Sequence, residues 1–331
     1  MQLNRPQDAI PYLERAISHG PAVAQYHVNL GSAYSRLKQL DVAASCYRRA
    51  LELEPNDMDA HRNLGSVLSK QSLFAEAVPH LQHVVTIAPN NRDARLSLAV
   101  ALQKSGQDEA SIPHYEQILA VDPANRRAMV GLAQALLQRE EPEERAAELW
   151  EKLVESNPDN PAYLNNLATV RKGLKQYEAS EEVSRRALGL SANYLPALCN
   201  LGIALSCQGR FEEARELFEK ALEIAEAPRQ APSADAQDSD RKDRPKLFFN
   251  DELPEKTWRE LQVVARSQSA TLANTFGDLE AVHRHLDHAL ALDPDDVDCH
   301  MMRGFAHLAT GEYEPGFREY EWRRKSKHKP R

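Results

Sequence analysis

The amino-acid sequence predicts an all-α solenoid of antiparallel helix pairs, and three observations carry that prediction. A proline-closed phrase returns about every 34 residues, small and large apolar residues recur at fixed places within that period, and the composition favours helix throughout the 331 residues. Ala, Leu, Glu, Arg and Gln dominate, all good helix formers, while Gly numbers only 13. Apolar residues make up 42%, enough for a core. Long alternating Val/Ile runs are missing, so almost no strand is expected.

The period is read first from the prolines. Pro55, Pro89, Pro123 and Pro158 follow one another at intervals of 34, 34 and 35, Pro21 stands 34 before Pro55, and Pro294 closes a similar phrase. Within each unit Leu30-Gly31, Leu64-Gly65, Leu98-Ala99, Leu132-Ala133, Leu167-Ala168 and Leu201-Gly202 fall at one position, where a small residue lets two helices approach closely. Ala43, Ala77 and Ala214 share a second position; Tyr47, Leu81, Tyr115 and Phe218 a third; Ala50, Ala187, Ala221 and Ala289 a fourth. Spacings of three, four and seven place these residues on one stripe of a helix, and two stripes per unit mean two antiparallel helices. The proline ends the second helix because it cannot donate the next backbone hydrogen bond. Gly106, Gly209, Gly277 and Gly311 mark the tight turn inside a unit. One pair cannot bury its apolar face alone, so successive pairs stack.

This small–large–small pattern at a 34-residue period resembles the tetratricopeptide family over nearly the whole chain. The resemblance implies a right-handed superhelical solenoid, here with about eight full repeats after a partial first one. The units run 24–57, 58–91, 92–125, 126–160, 161–194, 195–228, 263–296 and 297–325. Unit 126–160 has one extra residue near Glu140-Glu141-Pro142; Ala192 replaces the closing proline of another, and Ser111 a small alanine. Met1 to Leu3 correspond to the end of a first helix whose partner is about Pro6 to Ser18, so Met1 is expected to be an artificial or misassigned start.

The domain organisation follows. An array over 1–226 gives way to a Pro-, Ser- and charge-rich linker over 227–250, then to two further repeats over 251–325 and a basic tail over 326–331. Leu247, Phe248 and Phe249 form an apolar triplet that either docks on the preceding repeat or serves a partner. Helix resumes near Pro254, with Trp258, Leu261, Val264 and Ala265 on one face. The last unit carries Tyr313, Phe317, Tyr320 and Trp322. It looks like the closing repeat of bacterial tetratricopeptide proteins that continue into a glycosyltransferase-like domain, which here would lie beyond Arg331.

Composition and motifs narrow the function. A formal charge of −8 argues against a nucleic-acid partner. No apolar stretch approaches the roughly 18–20 residues of a membrane span, and no signal peptide is visible, so a soluble cytoplasmic protein is expected. Cys46, Cys199, Cys207 and Cys299 make no C-x-x-C and read as buried small residues in a reducing compartment. Phosphate-loop, dinucleotide, zinc-protease and nucleophile-elbow motifs are all missing, so no catalytic residue and no cofactor is expected. His283, His285 and His288 read as a solvated helix face rather than a metal site, since His283 and His285 diverge by about 200° on a helix.

The informative surface is the one the first helices present, which in the family lines a concave groove for extended peptides. Just before the Leu-Gly/Ala pair stand Asn29, Asn63, Asn166 and Asn200, interrupted by Ser97 and Gly131. An asparagine amide donates and accepts together, so a row of them can hold a peptide backbone of many sequences. Repeats of O-linked N-acetylglucosamine transferases use a ladder of this kind. Arg36, Lys70 and Lys104 form a basic row near the rim, fit either for an acidic partner or simply for the carbonyls of their own helix ends. The two-lysine carboxylate clamp of chaperone-binding members is not reproduced, since Val28 and Ser32 stand at its positions. The expected function is a non-enzymatic interaction scaffold holding a protein or extended peptide; the alternative is the substrate-recruiting arm of a glycosyltransferase.

Overall fold

A computed structural model describes residues 6–20, 22–139, 144–227 and 253–325. Met1 to Leu3, Pro21, Glu140-Glu141-Pro142, the Leu247-Phe248-Phe249 triplet and the tail after Lys325 lie outside those residues. The chain divides into two compact units, one up to Leu149 and one from Trp150.

The first unit comprises α1 (Pro6–His19), α2 (Ala24–Arg36), α3 (Leu40–Leu53), α4 (Met58–Lys70), α5 (Phe74–Ile87), α6 (Arg92–Lys104), α7 (Asp108–Val121) and α8 (Arg126–Leu137). It closes within α9 (Glu144–Ser156), which continues into the second unit. From α1 to α8 each helix packs on the next, and α2, α4, α6 and α8 also pack in succession. That neighbour-on-neighbour contact is the solenoid the period predicted. The second unit holds α10 (Pro161–Gly173), α11 (Tyr177–Leu190), α12 (Leu195–Cys207), α13 (Phe211–Glu226), α14 (Glu255–Thr275), α15 (Leu279–Leu292), α16 (Val297–Ala309) and α17 (Tyr313–Tyr320), ending in a 3-10 turn at Glu321–Lys325. Among the described residues there is no strand.

Local chemistry sets the helix boundaries. Two residues after the closing proline an Asn or Asp caps the next helix: the side chains of Asp57, Asn91, Asn125 and Asp296 accept from the backbone N–H groups of Ala60, Ala94, Ala128 and Cys299. Each satisfies a donor that the first helical turn leaves without a partner. At the turn inside a unit the chain enters the left-handed region. Gly106, Gly209, Gly277 and Gly311 take it at φ 78–81°, and Lys38, Ser72 and Lys175 take the same step at φ 60–62°.

The recurring apolar positions form the core. Ala43, Ala50, Ala77 and Tyr115 are buried, as are Ala187, Ala214, Phe218 and Ala221. The small residues are small for a visible reason. A Cβ on Gly31 would stand 2.8 Å from the Tyr47 ring, one on Gly65 2.7 Å from Leu81, and one on Gly202 2.7 Å from Phe218. In these three repeats the large side chain of the second helix occupies the space a methyl group would need, so the two helices pack through the missing side chain. Ser111 is buried like the alanine it replaces, its hydroxyl donating to the Asp108 carbonyl at 2.7 Å.

Three expectations need correction. Helix α14 runs unbroken for 21 residues from Glu255, so no new first helix begins at 263; Trp258 in its early turns packs with Leu195, Leu198 and Ala225. Of the cysteines only Cys199 and Cys299 are buried, whereas Cys46 is half-buried and Cys207 exposed. Nor are His283 and His285 on a solvated face. His283 lies 4.4 Å from the His307 ring and His285 meets Arg266 at 3.4 Å; of the three only His288 is exposed.

Candidate functional site

In each unit the candidate surface is taken from the first helix of each pair, and the four asparagines at that repeat position are in different states. Asn29 on α2 is exposed and accepts from Gln25 Nε2 at 3.2 Å. Asn63 on α4 is half-buried and lines a cleft of about 220 Å³ with Ser32, Ser35, Arg36, Tyr47, Ser66, Val67 and Lys70. The structure therefore brings three sequence-predicted residues, Asn63, Arg36 and Lys70, into one cleft between α2 and α4. Among the described residues no carboxylate lines it. Arg36, Lys70 and Lys104 occupy the last turns of α2, α4 and α6, exposed and without an ion-pair partner among the described residues.

The interruption at Gly131 has a physical cause. Tyr115 of α7 lies across this position, and a Cβ on Gly131 would stand 2.6 Å from its hydroxyl oxygen. That hydroxyl donates to Gln103 Oε1 at 2.9 Å, while Gln103 Nε2 donates to the Gly131 carbonyl at 3.1 Å. An asparagine here would displace a fully buried ring. Burial also raises the Tyr115 phenol well above its ordinary pKa, keeping it a neutral donor. Ser97, the other interruption, is exposed and turns its hydroxyl onto the Asp93 carbonyl of its own helix.

In the second unit Asn166 on α10 is half-buried with no side-chain hydrogen bond to any described residue. Asn200 on α12 is only 6% exposed. Its amide donates to Asn165 Oδ1 and Thr169 Oγ1, both at 2.9 Å, and its carbonyl accepts from Lys172 Nζ at 2.8 Å. Every function of that amide is engaged within the chain. Lys172 has its pKa lowered, chiefly by burial. Sequence reasoning missed this network, although the Asn165-Asn166 doublet placed one amide outward and one toward the next helix.

Four models described as tetratricopeptide or TPR repeats match residues 1–45, 31–72, 108–170 and 172–227, together more than half the chain. The chain belongs to the tetratricopeptide-repeat family. It is similar to small glutamine-rich tetratricopeptide repeat-containing protein 2 of Mycosarcoma maydis, 30% identical over 79 residues, 24% of this chain and 22% of that protein. The protein of the same description from Saccharomyces cerevisiae is 28% identical over 115 residues, 34% of this chain and 33% of the relative. The chain thus spans a third or less of the length of these relatives. Among solved structures, YrrB, described as a TPR protein with an unusual peptide-binding site, superposes with a TM-score of 0.51 at 19% identity. That superposition covers 56% of this chain and 95% of YrrB, and at that identity it speaks to the fold alone.

Two further features of this tetratricopeptide array bear on its chemistry. Among the described residues no group of three or more His, Cys, Asp and Glu side chains could hold a metal ion, and no helix is long and apolar enough to cross a membrane. Several histidines sit instead between the two helices of a repeat. His61 on α4 sets Nδ1 2.9 Å from His80 Nδ1 on α5 and Nε2 2.9 Å from the Pro55 carbonyl. Only a neutral His61 with its proton on Nε2 can donate to that carbonyl while accepting from His80. Burial lowers both pKa values; for His61 the bond to the Pro55 carbonyl opposes this and His83 adds to it, and for His80 the charges of His61 and Arg48 add to it.

Proposed function

We propose that the protein is an interaction scaffold that holds an extended peptide segment of a partner along the first helices of its repeats. One observation carries the reading. The cleft between α2 and α4 gathers Asn63, Arg36 and Lys70 with serine hydroxyls and no carboxylate, leaving unpaired donors where a peptide backbone and an acidic group would supply acceptors. In the first unit Asn29 and Asn63 are the backbone contacts and Arg36, Lys70 and Lys104 the charged rim; in the second, Asn166 stands at the equivalent position. Asn200 occupies the same repeat position on α12 but acts through Lys172, which it positions. The reading needs no catalytic residue and no cofactor, and takes proteins rather than nucleic acid as partners.

The test uses a pool of fluorescent nonapeptides of degenerate sequence and reads anisotropy. The native chain binds the pool, and N29A/N63A/N166A weakens binding several-fold with an unchanged melting curve. Equal binding by native chain and variant removes the asparagines from the function.

A second reading is favoured by the exposed face of α17. Tyr313 and Phe317 are 65% and 59% exposed, large rings set outward on α17. They offer a seat for a further domain, so the array would recruit substrate to a glycosyltransferase-like domain following Arg331. Coding sequence continuing past Arg331 into an alternating strand–helix domain supports this reading, and a stop codon there removes it.

A further inference from the structure

Resting on the peptide reading, we infer that the α2–α4 cleft takes a phosphorylated serine or threonine of the bound segment. Five groups lining it are free to engage a ligand: the Arg36 guanidinium, the Lys70 ammonium, the Asn63 amide and the hydroxyls of Ser35 and Ser66. None has a hydrogen-bond or ion-pair partner among the described residues. The remaining hydroxyls are already engaged, Ser32 donating to the Val28 carbonyl at 2.9 Å and lying 3.1 Å from the Tyr47 hydroxyl. Without a ligand these five rely on water alone, in a cleft closed on one side by the buried Tyr47 and Val67.

Charge and donor count select the ligand. A carboxylate brings one negative charge and two oxygens, and a bidentate arginine alone accounts for both. A phosphomonoester brings a charge of about −1.5 to −2 and three acceptor oxygens. Two cations match that charge, and three oxygens leave room for both cations, the amide and the hydroxyls. With no acidic side chain among the described residues lining the cleft, none of them competes there for the cations. Its volume of about 220 Å³ suits one small anionic head rather than a large ring. The cleft also lies beside the asparagine row, so a peptide held by Asn29 and Asn63 passes over it.

The experiment compares three nonapeptide pools, degenerate in the flanks and fixed at the centre as phosphoserine, serine or glutamate, with inorganic phosphate as competitor. The native chain binds the phosphoserine pool about tenfold or more tighter than the serine pool, with the glutamate pool between them, and the advantage shrinks as salt is raised. R36M/K70M, both exposed positions, abolishes the advantage while keeping residual binding of the serine pool and an unchanged melting curve. Equal binding of phosphoserine and serine pools overturns the inference and leaves the peptide reading standing. Equal binding of phosphoserine and glutamate pools overturns it in favour of a simple acidic-peptide site. An advantage that survives R36M/K70M places the anion elsewhere and also overturns it. Inorganic phosphate that displaces nothing at millimolar concentration argues for the peptide-borne group, whereas displacement of all three pools alike reduces the cleft to a free-anion site. If no pool binds, the peptide reading fails together with the inference.

Discussion

The Tyr115 ring fills the space that a side chain at Gly131 would need, and this pair accounts for one of the two interruptions of the asparagine row. A Cβ on Gly131 would meet the ring edge and stand 2.6 Å from the phenol oxygen, which is held in turn by Gln103. G131N, which would fill one of the two gaps in the row by sequence, is therefore expected to destabilise the first unit by about 1–3 kcal/mol through overpacking. The better helix propensity of Asn over Gly offsets only a few tenths of that. Urea denaturation of G131N, Y115A and the double variant checks it. Strain between the two side chains requires a double-variant loss smaller than the sum of the single losses.

The turns between paired helices make a second prediction. Lys38, Ser72 and Lys175 adopt left-handed backbone at φ 60–62°, where four other repeats place glycine. An L-residue in that region costs about 1–2 kcal/mol, against about 0.5–1 kcal/mol of extra chain entropy for glycine. Ser72 and Lys38 are exposed, so no packing is lost. S72G and K38G should each raise stability by about 0.5–1 kcal/mol, and G209A should lower it by a similar amount. Thermal or urea midpoints decide, and a midpoint that falls in S72G would show that the turn is not where the strain lies.

Much of this architecture was legible because the repeat states it several times over. Gly31, Gly65 and Gly202 identified the close approaches without any structure, since each faces a large residue at the same later position. The fate of each asparagine was not legible, because it depends on residues in other repeats. Asn63 stands open beside Arg36 and Lys70, whereas Asn200, at the same position of its own repeat, is closed off by Asn165, Thr169 and Lys172. The histidines failed for the same reason. Helical periodicity gives the direction of His285 on its own helix but not the presence of Arg266 on the one packed against it.

That pairing has a pH consequence. His285 is lowered to about 4, first by burial and then by the charge of Arg266, with Arg284 and His288 adding to it and Asp278 opposing it. A histidine whose folded pKa lies below its unfolded value near 6.5 leaves stability intact above about 6.5. As pH falls below that, the unfolded chain takes up the proton first, and stability is lost down to about 4. H285Q, which keeps a polar planar group without the titration, should flatten the decline in urea midpoint between pH 6.5 and 4. Superimposable pH profiles for H285Q and the native chain would remove His285 from that decline.

Asn200 and Lys172 give the last prediction, and it separates a positioning residue from a contact residue. Removing the Asn200 amide leaves Lys172, Asn165 and Thr169 each short of a partner in a half-buried setting, at a cost of about 1–3 kcal/mol. N200A should therefore unfold at lower urea, whereas N166A, whose side chain bonds to no described residue, should unfold as the native chain does. The lysine adds a signature of its own. Its folded pKa lies below the unfolded value of 10.5, so between the two the unfolded chain binds more protons and stability rises with pH. K172M should lose that alkaline rise relative to the native chain. The same rise in both would mean that the Lys172 ammonium is as well solvated as in the unfolded chain, and the Asn200 bracket would then hold nothing that burial had made costly.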